Sequence, residues 1–240
     1  MKNELLPRLQ WYRCVSDNVA SCLLRQPCRN GSNTDILVIS CYAPTNATSI
    51  RDESIREEFY DTVEAEIARV ANRTITLVGG DWNAKPGNDH ENNHCLGHHA
   101  KYRSISSNGN YLLDFCNRLG LLLANTLFPH PQRHKTTWVA PPRPGYRHPT
   151  RNQIDFCIVK GVHRCMLLDS RSYSGTATSS DHFMVITRMM LRIPNNSSKY
   201  RNTRAELCNR RYDVANLVSK EEVQVAVSYT HLTLPTIYSV

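Results

Sequence analysis

An acid and an amide stand two residues apart at Asp81 and Asn83, directly after the paired glycines Gly79 and Gly80. If this segment stays extended, both side chains point to the same side. A carboxylate there can hold a divalent cation or take a proton from water, and an amide can donate to an oxyanion. The same residue types also make ordinary polar turns, so the rest of the chain has to decide. A second acid, Asp155, is planted in the apolar run Gln153-Ile154-Asp155-Phe156-Cys157-Ile158-Val159. An unpaired buried carboxylate is expensive, so Asp155 requires a partner. Asp181 and His182 offer an acid and an imidazole side by side, just ahead of the apolar stretch from Phe183 to Leu191. Tyr42 closes a further apolar run, and by itself it reads as a core-edge tyrosine whose hydroxyl reaches solvent.

These residues need strands to present them. The runs at 9–15 and 19–24 read as two short strands around the turn Ser16-Asp17-Asn18. Ile36 to Tyr42 is apolar almost throughout, as expected of a strand covered on both faces, and Pro44 ends it. Residues 52–71 carry Ile55, Phe59, Val63, Ile67 and Val70 at helical spacing. The strand 74–78 follows and stops at Gly79-Gly80, where a sharp turn meets no Cβ. Strand, helix, strand in this order predicts a crossover unit with its loops at one sheet edge. Asn108-Gly109-Asn110 caps a helix over 111–119 with Leu112, Phe115, Cys116 and Leu119 as its stripe, and Gly120 ends it. Residues 121–126, 135–139, 153–159 and 183–191 read as further strands.

Two loops hold reactive side chains. His90, His94, Cys95, His98 and His99 lie in the polar stretch 84–107, but their spacing fits no strong zinc pattern, and this stretch reads as a mobile surface loop. Between His130 and Arg151, the basic residues Arg133, Lys135, Arg147 and Arg151 alternate with Trp138 and Tyr146. That mixture suits a phosphate backbone with stacked bases, and equally a solvated loop.

Composition narrows the class. A chain of 240 residues, 40% hydrophobic and 21% charged, builds one sizeable soluble α/β domain or a domain plus an extension. Lys and Arg outnumber Asp and Glu by 29 to 21, for a net charge of +8 and a pI near 9.1, which favours a polyanionic partner such as nucleic acid. No apolar run approaches the roughly 20 residues that span a bilayer, and Met1-Lys2-Asn3-Glu4 does not lead into a signal-peptide core. Nine cysteines without a C-x-x-C pair read as mostly free thiols in a reducing compartment. The expected location is therefore intracellular, nuclear or cytoplasmic, with no membrane partner and no secretion.

Taken together, Tyr42-Ala43-Pro44-Thr45, Gly79-Gly80-Asp81-Trp82-Asn83-Ala84-Lys85, Lys135-Thr136-Thr137-Trp138, Asn152-Gln153-Ile154-Asp155-Phe156 and Ser180-Asp181-His182 form an ordered set. The set resembles the endonuclease/exonuclease/phosphatase superfamily over residues 9–193. Within it, the likeness is to endonuclease modules of LINE-type retrotransposons and craniofacial development protein 2-like sequences. The resemblance implies a DNase-I-like four-layer α/β sandwich, two packed mixed β-sheets flanked by helices, acting as a metal-dependent phosphodiesterase on DNA with Mg²⁺ (or Mn²⁺). It implies that Asp81 positions or deprotonates the attacking water and Asn83 holds the scissile phosphate. Asp155 would fix the ring of His182, which donates to a phosphate oxygen; Tyr42 would steady developing charge. Asp181, with Asp81, would help bind the metal, and Thr137 and Ser180 would lie against the phosphate. A phosphodiester is anionic and repels hydroxide, so metal and fixed donors must neutralise charge in the transition state.

The family's opening strands, one bearing an Asn and the next a metal-binding Glu, have no counterpart in residues 1–40. The fold is therefore expected to be incomplete at its N-terminus, and nuclease activity weak or absent. The alternative is a non-catalytic, basic nucleic-acid-binding or interaction remnant of the same fold. After residues 1–193, residues 194–227 read as a polar basic linker with a short helix from Tyr212 to about Val227. In a LINE-type polyprotein that linker would lead to a reverse transcriptase module. Residues 228–240 match neither pattern and read as a non-native tail from a frame change or a sequencing join.

Overall fold

The structure is a computed structural model and describes residues 6–27, 32–45, 50–141, 144–145, 148–174, 180–191 and 222–227. In chain order its strands are β1 (Leu9–Ser16), β2 (Val19–Pro27), β3 (Asn33–Tyr42), β4 (Ile75–Asp81), β5 (Leu121–Leu123), β6 (Trp138–Val139), β7 (Arg151–Asn152), β8 (Asp155–Lys160), β9 (Leu167–Tyr173), β10 (Met184–Met190) and β11 (Glu222–Val227). Helix α1 (Ile50–Ala68) joins β3 to β4, and α2 (Ser107–Arg118) precedes β5. Six strands make one mixed sheet in the order β1-β2-β3-β4-β8-β5, and a second sheet has the order β11-β10-β9. The strand–helix–strand expectation holds: β3 and β4 are parallel, as a crossover connection requires.

Alternation along the central strands builds two cores. Leu37, Ile39, Cys41, Val78, Phe156 and Ile158 face α1 and α2, meeting Phe59, Val63, Ile67, Leu112, Phe115 and Cys116. Ile36, Ile75, Leu77, Cys157 and Val159 face the other way, against Met166, Leu167, Val185 and Met189 around the second sheet. Helices, six-stranded sheet and second sheet are thus three successive layers of the expected sandwich. The period of two has a consequence at the strand ends. Tyr42 shares parity with Ile36, Asp81 with Ile75 and Leu77, and Asp155 with Cys157 and Val159. All three therefore sit on the side that faces the second sheet.

Several expectations change. Strand β4 runs on through Gly79 and Gly80 to Asp81 instead of stopping at Val78. Gly80 serves packing there: a Cβ on it would lie 1.8 Å from the carbonyl oxygen of Cys41 on the neighbouring strand. In α1, among the described side chains of the first turns, Arg56 is buried, 2% exposed, while Ile55 is 43% exposed. Strand β5 ends at Leu123, and Ala124–Thr126 is a 3-10 turn instead of more strand. Stretch 84–107 is pinned: Cys95 and Leu96 are core residues, and Gly97 and His99 donate backbone N–H bonds to Thr126. Strand β9 escaped the sequence reading because Leu-Leu-Asp-Ser-Arg-Ser-Tyr buries serines. Ser170 bonds Thr187 on β10 at 2.8 Å, and Ser172 donates to the carbonyl of Thr136.

Residues 222–227, expected at the end of a helix, form strand β11, antiparallel to β10. Their sequence, Glu-Val-Gln-Val-Ala-Val, has the period of two that suits a strand and not a helix. The rest of the linker and residues 228–240 lie outside the described residues. No helix among the described residues is long and apolar enough to cross a membrane.

Candidate active site at the mouth of the two sheets

Asp81 and Asp155 end β4 and begin β8, and they are direct partners in the antiparallel ladder. Tyr42 is the partner of Asp81 on the other side, across the parallel β3–β4 pairing. His182 arrives from the second sheet, just ahead of β10, and is held by a bridge to Trp138. Its Nδ1 lies 3.1 Å from Oδ1 and 3.3 Å from Oδ2 of Asp155. Its Nε2 faces Oδ2 of Asp81 at 3.9 Å. Ligand atoms of Asp81, Asp155 and His182 all lie within 4.8 Å of one another, the one such group of metal-ligating side chains among the described residues. All three residues are buried or nearly so.

The electrostatics follow from two acids in one hollow. Burial, and then the charge of Asp155, push the Asp81 carboxyl up to about 7; the N–H of Asn83 and the charge of His182 pull the other way. Burial raises Asp155 too, against the hydrogen bond and charge of His182 and the hydroxyl of Thr137. Burial would lower the His182 imidazole, but the hydrogen bond to Asp155, with the charges of Asp155, Asp81 and Asp181, more than offsets it and holds it above the ordinary histidine value. These neighbours favour the protonated imidazole over the neutral one.

The structure brings some predicted residues to this point and gives others different work. Asn83 is not extended: at φ 47° it is the one non-glycine residue with positive φ among the described residues. Its backbone N–H donates to Oδ1 of Asp81 at 2.8 Å, while its side-chain amide turns to the carbonyl of Ala43, also at 2.8 Å. The extended geometry expected from the spacing is therefore replaced by a tight turn back onto Asp81. Thr137 is completely buried, and its Oγ1 accepts from the N–H groups of Ile154 and Asp155 at 3.0 and 3.1 Å. It faces the backbone under Asp155 instead of presenting a hydroxyl to a surface phosphate. Ser180 Oγ accepts the N–H of His182, and Oδ2 of Asp181 accepts from Trp138 Nε1 at 2.9 Å.

Of the basic residues, Arg133 is exposed and bonds His134. Lys135 is partly buried, and that burial lowers its ammonium. The side chain of Arg151 is exposed on β7, and Arg147 lies outside the described residues. Sequence reading missed Lys101 and Tyr102. Lys101 Nζ donates to Thr136 Oγ1 at 2.7 Å and to the carbonyl of Arg151 at 2.8 Å, and Lys101 and Lys85 both approach the ring of Tyr102. The signal was present in Lys85, Lys101 and Tyr102, but only the fold gathers them. The histidines of 84–107 form no metal group among the described residues.

The sequence profile of a family described as Endonuclease-reverse transcriptase matches residues 36–186, spanning both acids and the imidazole. The chain belongs to this family. Within the wider endonuclease/exonuclease/phosphatase superfamily, it is 28% identical over 178 residues to craniofacial development protein 2 of Tragulus javanicus and 28% identical over 181 residues to that of Bos taurus. Those matches cover 72% and 73% of this chain but only 29% and 28% of the relatives, so the chain spans less than a third of their length. Among solved structures, a Neisseria 3′ phosphatase, NExo, bound to a product DNA hairpin superposes with a TM-score of 0.53 at 17% identity, covering 76% of this chain and 72% of that one. The endonuclease domain of TRAS1, a telomere-specific non-LTR retrotransposon, gives a TM-score of 0.51 at 17% identity, covering 74% and 66%. These likenesses establish the DNase-I-like fold of this endonuclease-reverse transcriptase family member.

Proposed function

We propose that this chain is a phosphodiesterase domain of retroelement origin that cuts DNA with the help of a divalent metal, Mg²⁺ or Mn²⁺. The observation that carries the reading is the junction of Asp81, Asp155 and His182, three buried ionisable groups from both sheets within 4.8 Å. Two facing carboxylates, one of them raised to about 7 by burial and its neighbour, form an under-neutralised cluster of hard oxygen donors, which fits a small divalent cation. Asp81, with Asp155 and Asp181 adding negative charge, would hold it. Such a cation supplies Lewis-acid neutralisation of phosphate charge.

The chain's own groups divide the remaining work. Asp155 holds the His182 ring through Nδ1, so a protonated His182 presents its Nε2–H towards Asp81 and an oxygen of the scissile phosphate. Asp81, once ionised, accepts a proton from the attacking water. Tyr42, its ladder neighbour, stands where charge develops on the phosphate. Asn83 donates its N–H to Asp81 and fixes that carboxylate's direction. The cations at Lys85, Lys101 and Arg151 favour a nucleic-acid strand over a small phosphate ester. The donor set offers few oxygens, so turnover should be slow and need metal well above trace levels.

A second reading is a non-catalytic nucleic-acid binder of the same fold. It is favoured by the engagement of Asp155 with His182 and of Asp181 with Trp138, which leaves less of each carboxylate for a metal. Incubating the purified chain with supercoiled plasmid in Mg²⁺ or in EDTA separates the two. Mg²⁺-dependent nicking that Asp81→Ala abolishes supports the phosphodiesterase. Salt-sensitive DNA binding with no cleavage in either buffer selects the second reading.

A further inference from the structure

The run Ser106-Ser107-Asn108-Gly109 has a use beyond starting α2. Asn108 is almost completely buried. Its Nδ2 donates to the carbonyls of Pro44 at 2.9 Å and of Asn83 at 3.1 Å. Those carbonyls belong to the two loops that follow Tyr42 and Asp81. Arg56, buried in α1 with its guanidinium 3.8 Å from the Tyr111 ring centre, donates to Oδ1 of Asn108 at 2.9 Å and so fixes which way the amide points. Next along, a Cβ on Gly109 would fall 2.0 Å from the carbonyl oxygen of Lys85, so only glycine admits that loop. Ser106 completes the grip. Its Oγ accepts from Lys85 N–H at 3.0 Å as well as from Gly109, and its own N–H donates to the Lys85 carbonyl at 2.9 Å.

We infer that Asn108 is a positioning residue for the phosphodiester site: held by Arg56, it clamps the Pro44 and Asn83 loops together and keeps Asn83 in its left-handed turn with its N–H on Asp81. Asn adopts a left-handed turn more readily than other side-chain-bearing residues, yet the conformation still costs free energy, and the contacts around Asn83 hold it there. The carbonyl of Asn83 is gripped by Asn108, its side chain by Ala43, and Lys85 by Ser106. Release of the first lets the turn relax and frees Asp81 from the N–H that aims it. The inference rests on the proposed function for its catalytic consequence, but not for the clamp.

The variant Asn108→Asp tests it, because it keeps shape and the bond from Arg56 while replacing the donor with an oxygen facing two carbonyls. A residue serving only the helix would tolerate this change, since an acid in the first turn of α2 suits the helix dipole. Amide hydrogen exchange should quicken by about tenfold or more at Asn83 and Lys85, with β4 amides such as that of Val78 unchanged. DNA cleavage should lose about a hundredfold in kcat with KM nearly constant, the mark of a displaced reacting group. Unchanged exchange at Asn83 and Lys85 would overturn the clamp. If the variant does not fold, the Asn108 side-chain amide of the unaltered protein decides: slow exchange is expected, and the rate of an exposed amide would overturn it. If the unaltered protein cleaves no DNA, the proposed function fails while the exchange results still judge the clamp.

Discussion

Asp81 and Asp155 face each other across the β4–β8 ladder, both buried, with one imidazole between them and the second sheet. Like charges directly opposite in a ladder destabilise it, so this pairing needs a compensating reason. A protonated His182 would supply part of the compensation, and a divalent cation more.

The first prediction concerns pH. Asp81 ionises at about 7 in the folded chain against an ordinary 3.8. The folded state therefore binds more protons than the unfolded state between those values, and stability falls as pH rises from about 4 to about 7. His182 has the same sign, because its folded value is raised and its contribution is lost as pH rises through it. Denaturant melts at pH 5 and pH 8 should differ by on the order of a few kcal/mol, with the chain less stable at pH 8. Asp81→Asn should flatten that slope. A wild-type slope of opposite sign would contradict the charge arrangement.

Metal should reverse the trend. A cation binds ionised Asp81 in competition with its proton, so Mg²⁺ should raise Tm more at pH 8 than at pH 5.5. The readout is the Tm difference with and without millimolar Mg²⁺ at each pH. Asp81→Ala should abolish the increment, whereas the exposed-face variant Tyr12→Ser should retain it.

Breaking the second acid tests the imidazole. Asp155→Asn keeps the shape but no longer fixes or charges His182, and kcat should fall by about 10²–10⁴ with the alkaline limb of the pH–rate profile moving to lower pH. His182→Gln should cost as much and erase that limb. Similar losses in KM alone would mean that the pair only binds substrate.

Much of the fold was legible because its strands and α1 carry clear periods: β3 and β8 are apolar on both faces, and Phe59, Val63 and Ile67 recur at helical spacing. That Asp155 needs a partner followed from a simple cost, that of a buried carboxylate left unpaired; that His182 is the partner was implied only by the family resemblance. What escaped the sequence was set by tertiary context. Strand β9 hides behind buried serines whose hydroxyls find partners only once β10 and the Thr136 loop are in place. Gly79 and Gly80 look like a turn, but both continue β4, and at Gly80 the Cys41 backbone comes too close for any side chain. Thr137 looks like a surface donor, yet two backbone N–H groups claim its oxygen. Arg56 looks solvated in a charged helix, and only α2 reveals what it holds.

Thr137 supports a further prediction. With its hydroxyl taken by the N–H groups of Ile154 and Asp155, Thr137→Val keeps the volume but leaves both donors buried and unpaired. That should destabilise the fold by about 1–3 kcal/mol and loosen Asp155, lowering kcat while leaving DNA affinity unchanged. A phosphate-contacting threonine would instead show weaker DNA binding and near-normal stability. Equilibrium unfolding and a DNA-binding titration on the same variant distinguish the two.

The basic surface calls for the opposite signature. Lys101 is pressed between Thr136, the Arg151 carbonyl and the Tyr102 ring, and burial, then the charges of Arg151 and Lys85, bring its ammonium down to about 8. No carboxylate among the described residues forms an ion pair with Lys85, Lys101 or Arg151, so their mutual repulsion awaits an anion. A bound phosphate backbone would relieve it and release counterions. Removing Lys101 and Arg151 together, as Lys101→Ala/Arg151→Ala, should weaken DNA binding and lower the slope of log K against log salt by about one for each phosphate no longer neutralised. Binding should also weaken in the unaltered protein as pH rises past 8, because Lys101 then loses its charge. A double variant with an unchanged salt slope would remove this surface from the DNA path and leave the acid–imidazole site without a strand-guiding flank.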